Sequence, residues 1–424
     1  MGKFPAVGSL FFFCGILAAQ QSFHVYVGHI ETHAVVLAWG HTDGGGNTIG
    51  RGSKSHGRAR VQVGDRRAET NESWATISGL RPDTSYPYEV ILNGSTIGKG
   101  TVRTNAEKAD RVAFFVIGDW GTGEKPQYRI AAEMKKELER RLSSDNPIRF
   151  VLTTGDNIYA QTALGPFSRN SGDSDRDWGP KFFEPYRDVL RRVPFYASLG
   201  NHDGNESEQR GDLEVYLDNL FFPGGKPARY YQLSYGGLLD CFALDSSMNS
   251  ESGSRKAAFA PGSEQHRWLR QQLQASRAPW KIPFFHHPIY NAGPRHGASL
   301  KALQHFVKLF EDNGVRVVFT GHEHNFQVSE ANAATRQILY VITGSGGQLR
   351  EGDVRASMKD AHIAAWAPQH QFLLVEIYGS TMKITPISYE PMRIVDATGK
   401  GVKPEFDVVL PARPQVVVPK GPGK

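Results

Sequence analysis

Five short polar clusters each follow an apolar run in this chain of 424 residues: Gly118-Asp119-Trp120-Gly121, Gly155-Asp156-Asn157-Ile158-Tyr159, Gly200-Asn201-His202-Asp203, His286-His287 and Gly321-His322-Glu323-His324. They contain carboxylates, imidazoles, amides and a phenol, and no thiol. Hard oxygen and nitrogen donors of this kind suit Fe, Zn or Mn, and two such ions can clamp a phosphate for in-line displacement. Any one cluster alone is ordinary, since Gly-Asp-x-Gly is commonly a turn and a buried His is commonly a satisfied core residue. Five in succession, each at the end of an apolar run, predict one shared site.

The apolar runs are the elements that must carry these side chains. Val112–Ile117, Phe150–Thr153, Phe195–Leu199, Ile282–Phe285 and Val315–Phe319 read as buried strands, as do Leu238–Leu244, Ile338–Ile342 and Phe372–Ile377. Between the first two, Ala131, Met134, Leu138 and Leu142 recur at three- and four-residue spacing and predict an amphipathic helix over Tyr128–Leu142. Strand, loop, helix and strand in alternation predict an α/β layer domain, whose ligand sites form beyond the carboxyl ends of its strands. Upstream, from Phe23 to Thr104, short β-rich segments separated by Gly, Asp and Asn predict a sandwich of about one hundred residues. Within it, the run from Ile77 to Tyr88 resembles the loop and following strand of fibronectin type III domains. Gly165–Gly179 is polar and turn-rich, a surface loop able to overhang the site. Past Arg393 the chain turns rich in Pro, Val and Lys and reads as an extended strand followed by a tail.

Composition narrows the function classes. With 39% hydrophobic and 22% charged residues the chain is globular, not disordered. The net charge of +6 comes from 49 basic and 43 acidic residues that are interspersed, so no basic tract predicts nucleic-acid binding, and a mild preference for anionic substrates is all the charge implies. Lys3, the apolar stretch from Val7 to Ala19 and the small residues Ala18 and Ala19 have the form of a cleaved secretory signal, shorter than the roughly 20 residues a spanning helix needs. Export is therefore expected, to a secreted or periplasmic destination, with no membrane attachment after cleavage. Of the two cysteines, Cys14 leaves with the signal, and Cys241 remains alone in an apolar run as a core residue. A disulfide-linked dimer requires Cys241 to be exposed; the oligomeric state is otherwise open.

The set GDWG, GDNIY, GNHD, FFHHP and GHEH resembles the five-motif signature of the purple acid phosphatases, within the calcineurin-like metallophosphoesterase superfamily, over roughly Val112 to Tyr389. The preceding sandwich resembles the N-terminal domain of the larger, plant-type members. The resemblance implies a fibronectin type III-like all-β sandwich at 22–105 and an α/β catalytic domain of four-layer αββα construction at 110–392, which the residue patterns flank with a signal peptide at 1–19 and a C-terminal extension at 393–424. It implies that Asp119, Tyr159 and His324 bind a first metal, that Asp156 bridges, and that Asn201, His286 and His322 bind a second. Two anionic ligands at the first position favour Fe(III), and neutral ligands at the second favour divalent Fe, Zn or Mn. Tyr159 replaces the His that most metallophosphoesterases have two residues after the first Asp, where this chain has Gly121. A phenol of ordinary pKa near 10 calls for a strongly Lewis-acidic ion.

The activity implied is acid phosphatase chemistry on small phosphate monoesters, by attack of a metal-bound hydroxide, with His202 and His296 binding a phosphoryl oxygen or protonating the leaving alcohol. The same centre can serve a phosphodiesterase, and a secreted binding or adhesion protein with a vestigial site is the alternative from another class. Asp203 either orients His202 or caps the turn; His287 either lines the pocket or touches substrate. Gly344, Gly346 and Gly347 let backbone approach the site closely. Two departures stand out: Pro283 occupies a position usually held by Val, and His296 lies one residue further from His286 than in the mammalian-type enzymes.

Overall fold

The computed structural model describes residues 23–41, 50, 56–159, 178–205, 218–226, 228–247, 260–298 and 300–411. The N-terminal apolar stretch with Cys14, residues 165–177 of the expected overhanging loop, and the tail from residue 412 lie outside the described residues.

The first seven strands are β1 (His24–Ile30), β2 (Ala34–Gly40), β3 (Ala59–Val63), β4 (Arg66–Thr70), β5 (Trp74–Ser78), β6 (Ser85–Leu92) and β7 (Ser95–Arg103). They form two antiparallel sheets, ordered β1-β2-β5 and β4-β3-β6-β7, around one core that includes Val25, Leu37, Trp39, Val61, Ile77 and Val90. Strand β3 shows the period-two logic: Ala59, Val61 and Val63 are buried while Arg60 and Gln62 are exposed. Strands β4 and β7, absent from the sequence reading, sit at the two edges of their sheet and carry polar residues, so no apolar alternation marked them. Every residue of β1 is buried, because its outer face is covered by the chain that follows the sandwich. Tyr26 donates its hydroxyl to Asn219 O at 2.9 Å, His29 Nδ1 lies 2.8 Å from Tyr196 Oη, and a Cβ at Gly28 would run into the Phe221 ring.

After Asp110 the chain builds β8 (Arg111–Ile117), α1 (Lys125–Arg140), β9 (Ile148–Thr153), α2 (Arg187–Leu190), β10 (Phe195–Ala197), β11 (Tyr231–Tyr235), β12 (Leu239–Ala243), α3 (Glu264–Ala275) and β13 (Trp280–Phe284). It continues with α4 (Leu300–Asp312), β14 (Val317–Thr320), β15 (Phe326–Ser329), β16 (Leu339–Thr343), α5 (Arg355–Met358), β17 (Ile363–Ala367), β18 (Phe372–Tyr378), β19 (Thr381–Ile387) and β20 (Phe406–Val409). One sheet runs β10-β9-β8-β18-β19-β20 and the other β11-β12-β13-β14-β16-β15-β17. Alternate residues serve opposite faces: Val317 and Phe319 enter the core shared by the two sheets, while Val318 joins the core formed with Leu269 and Leu273 of α3 and Phe306 and Phe310 of α4. Helix α1 buries Ile130, Met134 and Leu138 with the strands of the six-stranded sheet. The result is a mixed α/β fold in which sheets buried on both faces read as near-continuous apolar runs.

The helix expected over Tyr128–Leu142 starts three residues earlier, with Pro126 in its first turn, and stops at Arg140. Leu142, expected on the buried face, lies beyond the helix end and is 44% exposed. The chain turns there because Arg141 is held by Glu137 and Glu376 at 2.6 and 2.8 Å. Trp178 and Gly179, the end of the segment expected to be a surface loop, are buried. Beyond Arg393 the chain remains part of the fold: Ile394 is buried, and β20 pairs antiparallel with β19. Cys241 is fully buried in β12, which rules out an exposed thiol for a covalent dimer. No helix among the described residues is long and apolar enough to cross a membrane.

Candidate metal centre

Strands β8, β9 and β10 run parallel in one sheet, and β12, β13, β14 and β16 run parallel in the other. All five polar clusters leave carboxyl ends of these strands, and their side chains meet. Asp119 Oδ1, Tyr159 Oη and His324 Nε2 lie 3.0–3.2 Å from one another. A second group joins Asn201 Oδ1, His286 Nε2 and His322 Nδ1, at 3.0–3.1 Å, with Asp156 Oδ2 3.4 Å from His286 Nε2. Donor atoms of Asp119, Asp156 and His324 all fall within 4.8 Å of one another, which places Asp156 between the groups. His202 and His296 flank them: the His202 ring is 4.8 Å from that of Tyr159, and the His296 ring is 3.9 Å from that of His322.

The backbone is bent hard to achieve this. Asp119, Asp156 and His322 have φ of +54°, +49° and +70°, left-handed conformations that cost about 1–2 kcal/mol for a non-glycine residue and persist where surroundings over-determine them. Those surroundings are visible. His322 N–H donates to Asp119 Oδ2 at 2.8 Å and His202 N–H to Asp156 Oδ1 at 2.9 Å, so each carboxylate is aimed by a backbone amide from another cluster. The expected close approach of glycines is present, since a Cβ at Gly344 would strike Glu323 O and one at Gly200 would strike Asp156 Oδ1.

Electrostatics fit a cation at the second group. His286 Nδ1 lies 2.9 Å from Thr154 O and so carries a proton, which leaves Nε2 with its lone pair facing the Asn201 oxygen, His322 and Asp156. Acceptors converging on one point require a positive charge among them. Without an ion, a proton supplies it: burial lowers the pKa of His286, but the carboxylates of Asp156 and Asp119 outweigh it and raise it to about 9. Burial likewise opposes the ionisation of Asp156, yet the His286 and His202 charges hold its pKa well below the usual carboxylate range. His322 is driven far down by burial and by His287 and His286, which keeps it a neutral donor. Burial, then Asp119 and Asp156, push the Tyr159 phenol well above 10, so its phenolate needs a cation beside it.

A model of the family described as calcineurin-like phosphoesterase matches residues 112–326, just over half of the chain and all five polar clusters. The chain belongs to the calcineurin-like phosphoesterase family. Tartrate-resistant acid phosphatase type 5 of Rattus norvegicus is 27% identical to it over 331 residues, 72% of this chain and 92% of that protein. Two solved structures share the fold over most of the chain. PhoD aligns with a TM-score of 0.65 at 15% identity, over 91% of each chain. The purple acid phosphatase from yellow lupin (Lupinus luteus) seeds aligns with a TM-score of 0.63 at 14% identity, over 92% of this chain and 74% of that one.

Around the centre of this calcineurin-like phosphoesterase stand residues beyond the seven expected ligands, some read from the motifs and some not. The Asp203 carboxylate accepts the N–H groups of Asn157 at 3.0 Å and Gly200 at 3.1 Å, and Asn157 Nδ2 at 2.7 Å, tying the GNHD turn to the GDNIY turn. Of the two roles expected for it, the turn-capping one is the one these bonds describe. Ser246, in the Asp245-Ser246-Ser247 cluster that ends β12, accepts the His287 N–H at 3.1 Å and lies 3.0 Å from His287 Nδ1. That cluster obeyed the same strand-end rule and could have been found. Burial, then His286, depress the His287 pKa to about 3, and its neutral ring lies 4.5 Å from that of His322. Glu323 is fully buried, and its Oε2 accepts His296 N–H at 2.9 Å and Asn291 Nδ2 at 3.1 Å. The buried Lys181 donates to Tyr159 O at 2.7 Å, with no sequence signal to announce it.

Proposed function

We propose that this protein is an exported phosphomonoesterase of the purple acid phosphatase type, with a fibronectin type III-like domain packed beside its catalytic domain. The single observation that carries the reading is the division of seven convergent side chains into two groups. Asp119, Tyr159 and His324 would hold Fe(III), Asn201, His286 and His322 a divalent Fe, Zn or Mn ion, and Asp156 would bridge. The acid phosphatase named among the relatives is in keeping with it. When bound, such ions neutralise phosphate charge and supply an activated water.

The chain's own residues do the rest. Asp119 and Asp156, aimed by backbone N–H groups, hold the site's negative charge in fixed directions. His202 and His296 stand on either side of the two groups, each placed to donate to a phosphoryl oxygen or to the leaving alcohol. The sheet order β1-β2-β5 facing β4-β3-β6-β7, and the full burial of β1, support the domain reading of residues 22–105.

The test is a visible absorption spectrum with metal analysis on purified protein, repeated on Tyr159→Phe. A tyrosinate-to-iron charge-transfer band that disappears in the variant is expected; an oxidised, iron-loaded wild type without colour refutes the Tyr159 assignment. Aryl phosphate should be hydrolysed faster than its diester, the reverse order points to a phosphodiesterase, and hydrolysis of neither by metal-loaded protein points to a binding protein.

A further inference from the structure

Arg350, a cation beside the site, has two donors with no hydrogen-bond partner among the described residues. Arg350 follows the Gly344–Gly347 loop, and its backbone N–H donates to the carbonyl of His324 at 2.9 Å, which fixes it next to that side chain. Its side chain is only 17% exposed, and neither Nε nor Nη1 makes a hydrogen bond. The nearest acid is Glu323, 4.0 Å from Nε and beyond hydrogen-bond reach; the other Glu323 oxygen is occupied by His296 N–H and Asn291 Nδ2. Arg295, exposed and directly before His296, adds a second positive charge to the same rim. Buried charged donors left unbonded are rare and costly, and a phosphate oxygen is a charged acceptor suited to either of them.

We propose that Arg350, with Arg295 beside it, forms an anion subsite on the rim of the metal centre that receives the uncleaved acidic group of the substrate, selecting phosphate esters whose alcohol carries a second phosphate. The proposal rests on the phosphatase reading only for which phosphate is cleaved. Arg350 serves the spectator phosphate, and His202 and His296 remain the groups at the reacting one.

The metal-loaded full chain is titrated calorimetrically with propane-1,3-bisphosphonate and with propylphosphonate, neither of which can be hydrolysed. It is also assayed on the bisphosphate and the monophosphate of 1,3-propanediol. The wild type should bind the bisphosphonate tighter by about tenfold or more, the scale of a charge-assisted pair of hydrogen bonds, and should show a similar preference in kcat/KM. Arg350→Gln should abolish most of the preference, Arg350→Lys should keep part of it, and the surface change Arg295→Gln should weaken it without touching the fold. Equal affinity for both phosphonates in the wild type overturns the subsite. So does an Arg350→Gln protein that weakens both equally, since the arginine then serves the phosphate being cleaved. An Arg350-dependent bisphosphonate preference in a protein that hydrolyses neither ester keeps the subsite and removes the phosphatase reading. Hydrolysis without preference removes the subsite alone.

Discussion

Replacing Asp203 by Ala separates a clamp from a catalytic orienter. The carboxylate is fully buried and receives N–H groups from Asn157 N, Asn157 Nδ2, Gly200 N and Ile158 N, at 2.7–3.3 Å. Each buried donor left unmade costs about 1–3 kcal/mol, so these together set an upper range that a water entering the vacated space reduces to about 3–5 kcal/mol. Those donors belong to the turns that carry Asp156 and Asn201, so the loss falls on the centre as well as on the fold. For a catalytic domain of this size the expected drop in melting temperature is about 6–15 °C, read by calorimetry on the full chain. Metal analysis of the purified variant should show loss chiefly at the Asn201, His286 and His322 group. A variant that melts within about 1 °C of wild type and retains its metals while losing turnover refutes the clamp, and Asp203 then acts through His202.

Two further outcomes follow from buried polar groups. Glu323→Ala removes the acceptor for His296 N–H and Asn291 Nδ2, so turnover should fall by about tenfold to a hundredfold, more steeply for substrates with poor leaving groups, while metal content holds; equal losses for good and poor leaving groups contradict the positioning of His296. His24, in β1 against the Phe183 ring at 5.4 Å, has its pKa lowered to about 4 by burial first and then by the Arg187 charge. It is neutral when folded, whereas the unfolded chain takes the proton below about 6.5, so its contribution is intact above that pH and is lost as pH falls from 6.5 towards 4, by up to about 3 kcal/mol. The His24→Phe protein should lose less stability than wild type over that interval, and parallel melting curves from pH 6.5 to 4 rule this out.

Much of the catalytic architecture was legible in the sequence because strands buried on both faces, parallel or not, leave continuous apolar runs. Val112–Ile117, Phe150–Thr153 and Phe372–Ile377 each fall within an observed strand. Helices α3 and α4 went unread, though Ser263, whose hydroxyl accepts His266 N–H at 3.1 Å, the spacing of Leu269 and Leu273, and that of Leu303, Phe306, Val307 and Phe310 were there to be read. The chemical types at the strand ends, carboxylate, phenol, amide and imidazole, required no structure at all. They pointed to a metal centre because donor chemistry is a property of the side chain alone.

What tertiary structure decided is which donor faces which. The left-handed backbone of Asp119, Asp156 and His322, the tie from Asp203 to Asn157 46 residues away, and the hold of Glu323 on the loop bearing His296 depend on contacts that no local pattern encodes. The same is true of Lys181 beneath Tyr159, and of Arg350 left with unbonded donors beside Glu323. Polar residues in loops carry no periodicity, and their partners are chosen only when sheet packing brings distant turns together. The sequence could therefore state what the site is made of, and the packed sheets alone could state how it is held.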